Sequence, residues 1–131
     1  MSEHIIDSSE PYHPEKLDKK EYVGAAAYFE MDIRTGVILE AEDFPEMRKL
    51  SYKIHVDFGP VIGKLWSSAQ ITNYSRAQLI GLTVGGAVNL GDKTLPTGFV
   101  SQFLVLGSLD PDGTVRLLEL PDGVLPGSMV A

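Results

Sequence analysis

The feature that most constrains this chain lies at residues 52–72, YKIHVDFGPVIGKLWSSAQIT, which reads as two strands joined by one tight turn. In its first half Tyr52, Ile54, Val56 and Phe58 fall on one face and Lys53, His55 and Asp57 on the other, the period of a strand with one buried and one wet side. Gly59 and Pro60 then reverse the chain. Proline fixes its own φ and glycine tolerates positive φ, so the pair suits a turn between two apolar runs better than a strand interior. The return run carries Val61, Ile62, Leu65, Trp66, Ala69 and Ile71, interrupted by Gly63 and by Ser67 and Ser68. Such interruptions predict a strand that bends or bulges, as a small curved barrel requires.

The segments on either side extend that pattern. Residues 33–40 predict a first strand with Ile33, Thr35, Val37 and Leu39 on one face, and with Gly36 letting it curl. Residues 41–51, with Pro45 and mixed charges, read as a loop into the hairpin. Ser75 with Gln78 three residues on forms a capping box, and Gly81 a stop, so one or two helical turns fit between them. A fourth strand over residues 82–90 contains Gly85 and Gly86, which suggest a bend or a close backbone approach. Residues 91–98 read as a loop, and residues 99–107 as a fifth strand with Phe103 and Val105 opposite Gln102, Leu104 and Leu106. Asp110, Pro111, Asp112 and Gly113 make a hairpin turn into residues 114–120, and an extended segment follows to the C-terminus. This is an all-β pattern: a five-stranded OB-fold barrel with one short helix between strands 3 and 4 and extra C-terminal strands.

Upstream, residues 1–27 read as a mobile N-terminal arm, polar and with Pro11 and Pro14, that could end in a short helix over residues 21–29 capped by Asp18. Residues 28–131 form the barrel domain. The arm's His4 and His13 lack metal-ligand spacing. The net charge is −7: residues 1–27 hold six acids and three bases, and the remainder twelve acids and eight bases, so the acidity is spread over both parts. A body of this sign repels phosphate backbones unless its bases gather on one face. The absence of cysteine removes thiolate chemistry and cysteine-type zinc sites. No apolar run reaches the length of a membrane span or of a signal peptide, so a cytoplasmic protein is expected.

Several strings, in one unbroken order from about Phe29 to the C-terminus, resemble a known family: DIRTGVILEAEDFPE at residues 32–46, VDFG at 56–59, SSAQIT at 67–72, Val88 with Asn89, FLVLG at 103–107 and LPDGVLPG at 120–127. They are similar to the CsaA family within the tRNA-binding OB-fold domains, a group that includes the C-terminal appendages of methionyl-tRNA synthetases and the EMAP II cytokine domain. The resemblance implies a homodimer that binds tRNA and acts as a chaperone for unfolded or precursor polypeptides in protein secretion, without catalysis, metal or cofactor. It departs from the family pattern at residues 89–101, NLGDKTLPTGFVS, where the family is usually basic and this chain has one lysine and an added Asp92. Leu65 and Trp66 likewise stand where the family often has polar or basic residues.

The resemblance makes Asn89, Lys93, Ser101 and Gln102 candidates for reading RNA by hydrogen bonds, and Lys53, Lys64 and Arg34 candidates for phosphate contact. By composition alone the lysines are ordinary solvated residues. Trp66 and Phe99 could stack on bases, at about 1–3 kcal/mol each in single-strand binders, or serve as core or dimer-interface residues. Apolar residues outside the barrel, among them Leu65, Trp66, Leu90, Leu95, Phe99 and Val100, would form a peptide groove beside a dimer interface. The loop charge favours the alternative of a peptide-binding module that has lost tRNA affinity, whereas the preserved SSAQIT string favours the family's double role. An enzyme is not indicated: His55 has no nucleophile motif near it, and Gly85 and Gly86 lack the lysine of a phosphate loop.

Overall fold

The computed structural model describes residues 12–131; residues 1–11, which hold His4 and the first part of the expected arm, lie outside it. In chain order come a 3-10 turn (Pro14–Lys16), α1 (Ala25–Phe29), β1 (Ile33–Asp43), β2 (Tyr52–Asp57), α2 (Gly59–Ile62), β3 (Lys64–Ala69), α3 (Arg76–Leu79) and β4 (Thr83–Ala87). Short strands follow: β5 (Lys93–Thr94), β6 (Val100–Ser101), β7 (Leu104–Val105), β8 (Gly107–Leu109) and β9 (Val115–Leu117). The main sheet is antiparallel with strand order β3-β2-β1-β4-β7. It curls until β3 meets the chain between β6 and β7, where the Gln102 N–H donates to the Trp66 carbonyl at 2.8 Å and the Ser67 hydroxyl donates to the Phe103 carbonyl at 2.7 Å. The expected OB-fold results: a nearly closed five-stranded barrel, α3 between its third and fourth strands, and the β8–β9 hairpin added at its C-terminal end.

The inward face of the central hairpin supplies the core, with Ile54, Val56 and Phe58 fully buried beside Ile38, Ile71, Leu79 and Val84. Phe58 fits because two neighbouring strands carry no side chain beside it. A Cβ on Gly36 would stand 2.7 Å from Phe58 Cδ1 and 2.5 Å from Val56 Cγ1, and one on Gly86 would stand 2.6 Å from Phe58 Cζ. The close approach expected of the Gly85 and Gly86 pair is therefore real at Gly86.

The local detail departs from expectation in several places. Of the two faces expected in β1, the one with Gly36 and Ile38 meets the core, and Thr35 is also buried, on the opposite side, because residues 125–128 cover it. The bulge lies in β1, where the register shifts between Ile38 and Glu40, whereas β2 and β3 pair without a shift despite Ser67 and Ser68. β1 continues to Asp43, beyond the expected loop boundary. Between β2 and β3 the chain makes a helical turn over Gly59–Ile62, so Val61 is 82% exposed and the return strand starts only at Lys64. α1 begins at Ala25 after Gly24, and Asp18 does not cap it. The expected fifth strand is broken into β6, β7 and the start of β8, because successive pieces pair with β5, β4 and β9. The capping box at Ser75 and the turn at residues 110–113 form as expected.

Candidate nucleic-acid interface

Alternation along β2 and β3 sends Lys53 and His55 outward opposite Ser68 and Trp66. His55 and Trp66 face each other across the strands, and their rings stack with centroids 4.3 Å apart and planes 1° from parallel, as directly opposed aromatic residues on one sheet face do. The Nδ1 atom of His55 is buried and has no hydrogen-bond partner among the described residues. On the β1 side, Lys53 pairs with Glu42. Its ammonium lies 4.7 Å from the centroid of Phe44 and 5.3 Å from that of Phe99, contacts worth about 0.5–2 kcal/mol each. The two phenylalanines meet edge to face at 5.2 Å. Phe99 belongs to the turn between β5 and β6, so the cluster of Phe44, Lys53 and Phe99 fastens that arm to the barrel wall.

Between wall and arm lies a groove of about 420 Å³ lined by Glu42, Lys53, Trp66, Phe99, Val100 and Gln102. This volume falls in the range of small-ligand sites, about 300–1,000 Å³. Its position is also informative. OB-folds bind oligonucleotides on the face of strands 2 and 3, between the loops that follow strands 1 and 4, and those elements here are β2, β3, the loop containing Phe44 and the arm containing Phe99.

The structure divides the sequence-derived candidates. Lys53, Trp66, Phe99 and Gln102 come together in the groove. Lys64 stands exposed at the start of β3, and Lys93 exposed on β5 opposite Ser101. Three polar candidates are engaged in the fold itself. Asn89 accepts from the Asp32 N–H at 2.9 Å and donates to the Glu30 carbonyl at 2.8 Å, which clips the end of α1 to β4. Arg34 is paired with Asp32 at 2.6 Å and donates to the Gly127 carbonyl at 3.0 Å. Ser101 shares a 2.9 Å hydrogen bond with Ser67 at the barrel seam. Gln102 does both kinds of work: its Oε1 accepts from the Trp66 N–H at 2.9 Å, standing in for a strand carbonyl, while it also lines the groove.

Of the apolar candidates, Leu65 turns inward and packs against the core, and Leu95 opens the turn over residues 95–98. Leu90 and Val100 are partly exposed, at 37% and 38%. Glu42, Phe44 and His55 join the site without having been singled out as binding residues. Phe44 carries a signal in the sequence, an apolar residue in a polar loop before Pro45; the placing of Glu42 against Lys53 depends on a strand register that no local motif encodes.

Among the described residues no cluster of His, Asp or Glu could hold a metal, and no helix is long and apolar enough to cross a membrane. No family model matches the chain. Solved structures do. The CsaA chaperone of Picrophilus torridus superposes with a TM-score of 0.78 at 42% identity, covering 84% of this chain and all of that one. The chaperone CsaA of Bacillus anthracis superposes with a TM-score of 0.79 at 33% identity, covering 85% of this chain and all of that one. Among curated sequences, the methionine--tRNA ligase of Phocaeicola vulgatus is 31% identical over 111 residues, 85% of this chain but 16% of that protein. The chain thus spans about one sixth of the length of this ligase.

Proposed function

Because the chain belongs to the CsaA family of tRNA-binding-type OB-fold proteins, we propose that it is a non-catalytic binding protein whose ligands are tRNA and unfolded or precursor polypeptides. The observation that carries this reading is the groove itself. It occupies the ligand face of the fold and combines an ammonium group, two aromatic walls and an amide side chain in one place. The matched relatives include a tRNA ligase and two proteins described as chaperones, which supports both ligand classes. In this reading Lys53, Lys64 and Lys93 meet phosphate, Trp66 and Phe99 stack on bases, and Gln102 reads a polar edge. Asn89, Arg34 and Ser101 act one step back, by holding β4, the C-terminal segment and the seam in place.

A peptide-binding module without RNA affinity is the second reading, favoured by the single base and the acid at residues 89–101. The groove would then take apolar side chains against Trp66, Phe99 and Val100. We further propose a cytoplasmic homodimer, with residues 28–131 as the binding domain.

Labelled bulk tRNA titrated over a salt series separates the two readings. Binding should weaken steeply with salt, and Lys64→Ala and Lys93→Ala should each lower the slope of log affinity against log salt by about one. Absence of binding even at low salt would remove the tRNA reading and leave peptide capture. Asn89→Ala is a poor probe here, because it breaks two hydrogen bonds of the fold.

A further inference from the structure

The polar atoms of the groove are unevenly supplied, and that bears on which base it accepts. Trp66 is held flat against His55, while the groove touches Trp66 but not His55, so an entering ring meets the part of the indole that His55 leaves uncovered. Phe99 bounds the same space. Around these rings stand two groups with unused capacity. The Glu42 carboxylate makes no hydrogen bond or ion pair among the described residues. The Oε1 of Gln102 is committed to the Trp66 N–H, which leaves its NH₂ as a donor with no partner among the described residues.

We propose that the groove is a subsite for one unpaired nucleobase that carries an exocyclic amine, and that it disfavours uracil. The proposal rests on the RNA-binding reading above and narrows it to a base class. An ionised carboxylate accepts hydrogen bonds but cannot donate them, so Glu42 matches the N4 amine of cytosine. Uracil presents a carbonyl oxygen at the same place, and two acceptors then oppose each other. The amide NH₂ of Gln102 suits the ring nitrogen N3, the acceptor beside that amine. Lys53, between Phe44 and Phe99, supplies positive charge for the adjoining phosphate and offsets the repulsion between that phosphate and Glu42. A paired base in a duplex hides this edge, so the ligand is a loop, a bulge or a single-stranded end.

Trp66 is the only tryptophan in the chain, so its fluorescence reports the groove directly. Cytidine and uridine ribo-octamers titrated at low salt should both bind, cytidine more tightly by about five- to tenfold. Glu42→Gln, whose amide can donate as well as accept, should abolish most of that preference without loss of uridine affinity. Equal affinity of the wild type for the two octamers, or a cytidine preference that survives Glu42→Gln, would overturn the proposal and leave the RNA reading intact. Binding of bulk tRNA without binding of either octamer would do the same. Should neither tRNA nor octamer bind, both readings fail together. Quenching of Trp66 by an extended apolar peptide alone would assign the groove to polypeptides and overturn the base subsite.

Discussion

Phe58 occupies its place because Gly36 and Gly86 lack side chains. The ring is fully buried, and a methyl group on either glycine would enter it at less than 3 Å. Overpacking of this kind costs about 1–3 kcal/mol, so Gly86→Ala should lower the stability measured by urea denaturation by that amount. Phe58→Leu should recover part of the loss when the two changes are combined, since residues in contact do not act additively. Strict additivity would show that the crowding lies elsewhere. At the same scale, polar side chains show why residue type alone misleads about sites. Asn89 and Ser101 have the chemistry of a base reader, yet their hydrogen bonds go to Glu30, Asp32 and Ser67.

The elements best foreseen are those stabilised by their own neighbours in sequence. The Ser75 hydroxyl accepts from the Gln78 N–H at 3.2 Å, and Gln78 Oε1 accepts from the Ser75 N–H at 2.7 Å; both partners lie within four residues, so a motif suffices to find them. The β8–β9 turn is equally local. Within it Asp112 Oδ1 accepts from the Thr114 hydroxyl at 2.7 Å and the Thr114 N–H at 2.9 Å, and these bonds hold its carboxyl below the usual range. A depressed folded-state pKa contributes stability above the unfolded pKa, about 3.9, that is lost as pH falls through the folded value. Asp112→Ala should therefore lower the thermal midpoint at pH 7. The gap to wild type should close as pH falls below about 4; a gap independent of pH would refute a charge-assisted turn. The Gly59–Ile62 turn escaped a local reading because Gly59 and Pro60 fit a tight reversal equally well.

At the scale of the whole molecule, two of the large apolar side chains that remain uncovered lie together. Val61 is 82% and Leu125 76% exposed, and both line a concavity of about 280 Å³ beside Pro60 and Pro126. Exposed apolar groups gathered in this way suit an association surface, and the homodimer proposed above would give them a cover. Light scattering at micromolar concentration should give twice the chain mass, and Val61→Asp should shift the protein toward monomer. A monomeric wild type would exclude the dimer.

The barrel was legible in the sequence because period-two alternation, glycine placement and turn residues act over a few positions, and together they limit the chain to short curved strands. The family strings added the fold's identity and the region of its ligand face. Closure of the sheet was not legible: it depends on Trp66 meeting Gln102, and Ser67 meeting Phe103, across a seam whose two sides lie 36 residues apart in the chain. The same holds for the bulge in β1 and for the groove, where Glu42, Trp66 and Gln102 meet from three distant segments. Sequence by itself determined which residues prefer water, which prefer the core and where the chain can turn. Only the tertiary structure decided which polar groups spend their hydrogen bonds within the fold and which do not, because that is settled by long-range register and by competition for the same few donors.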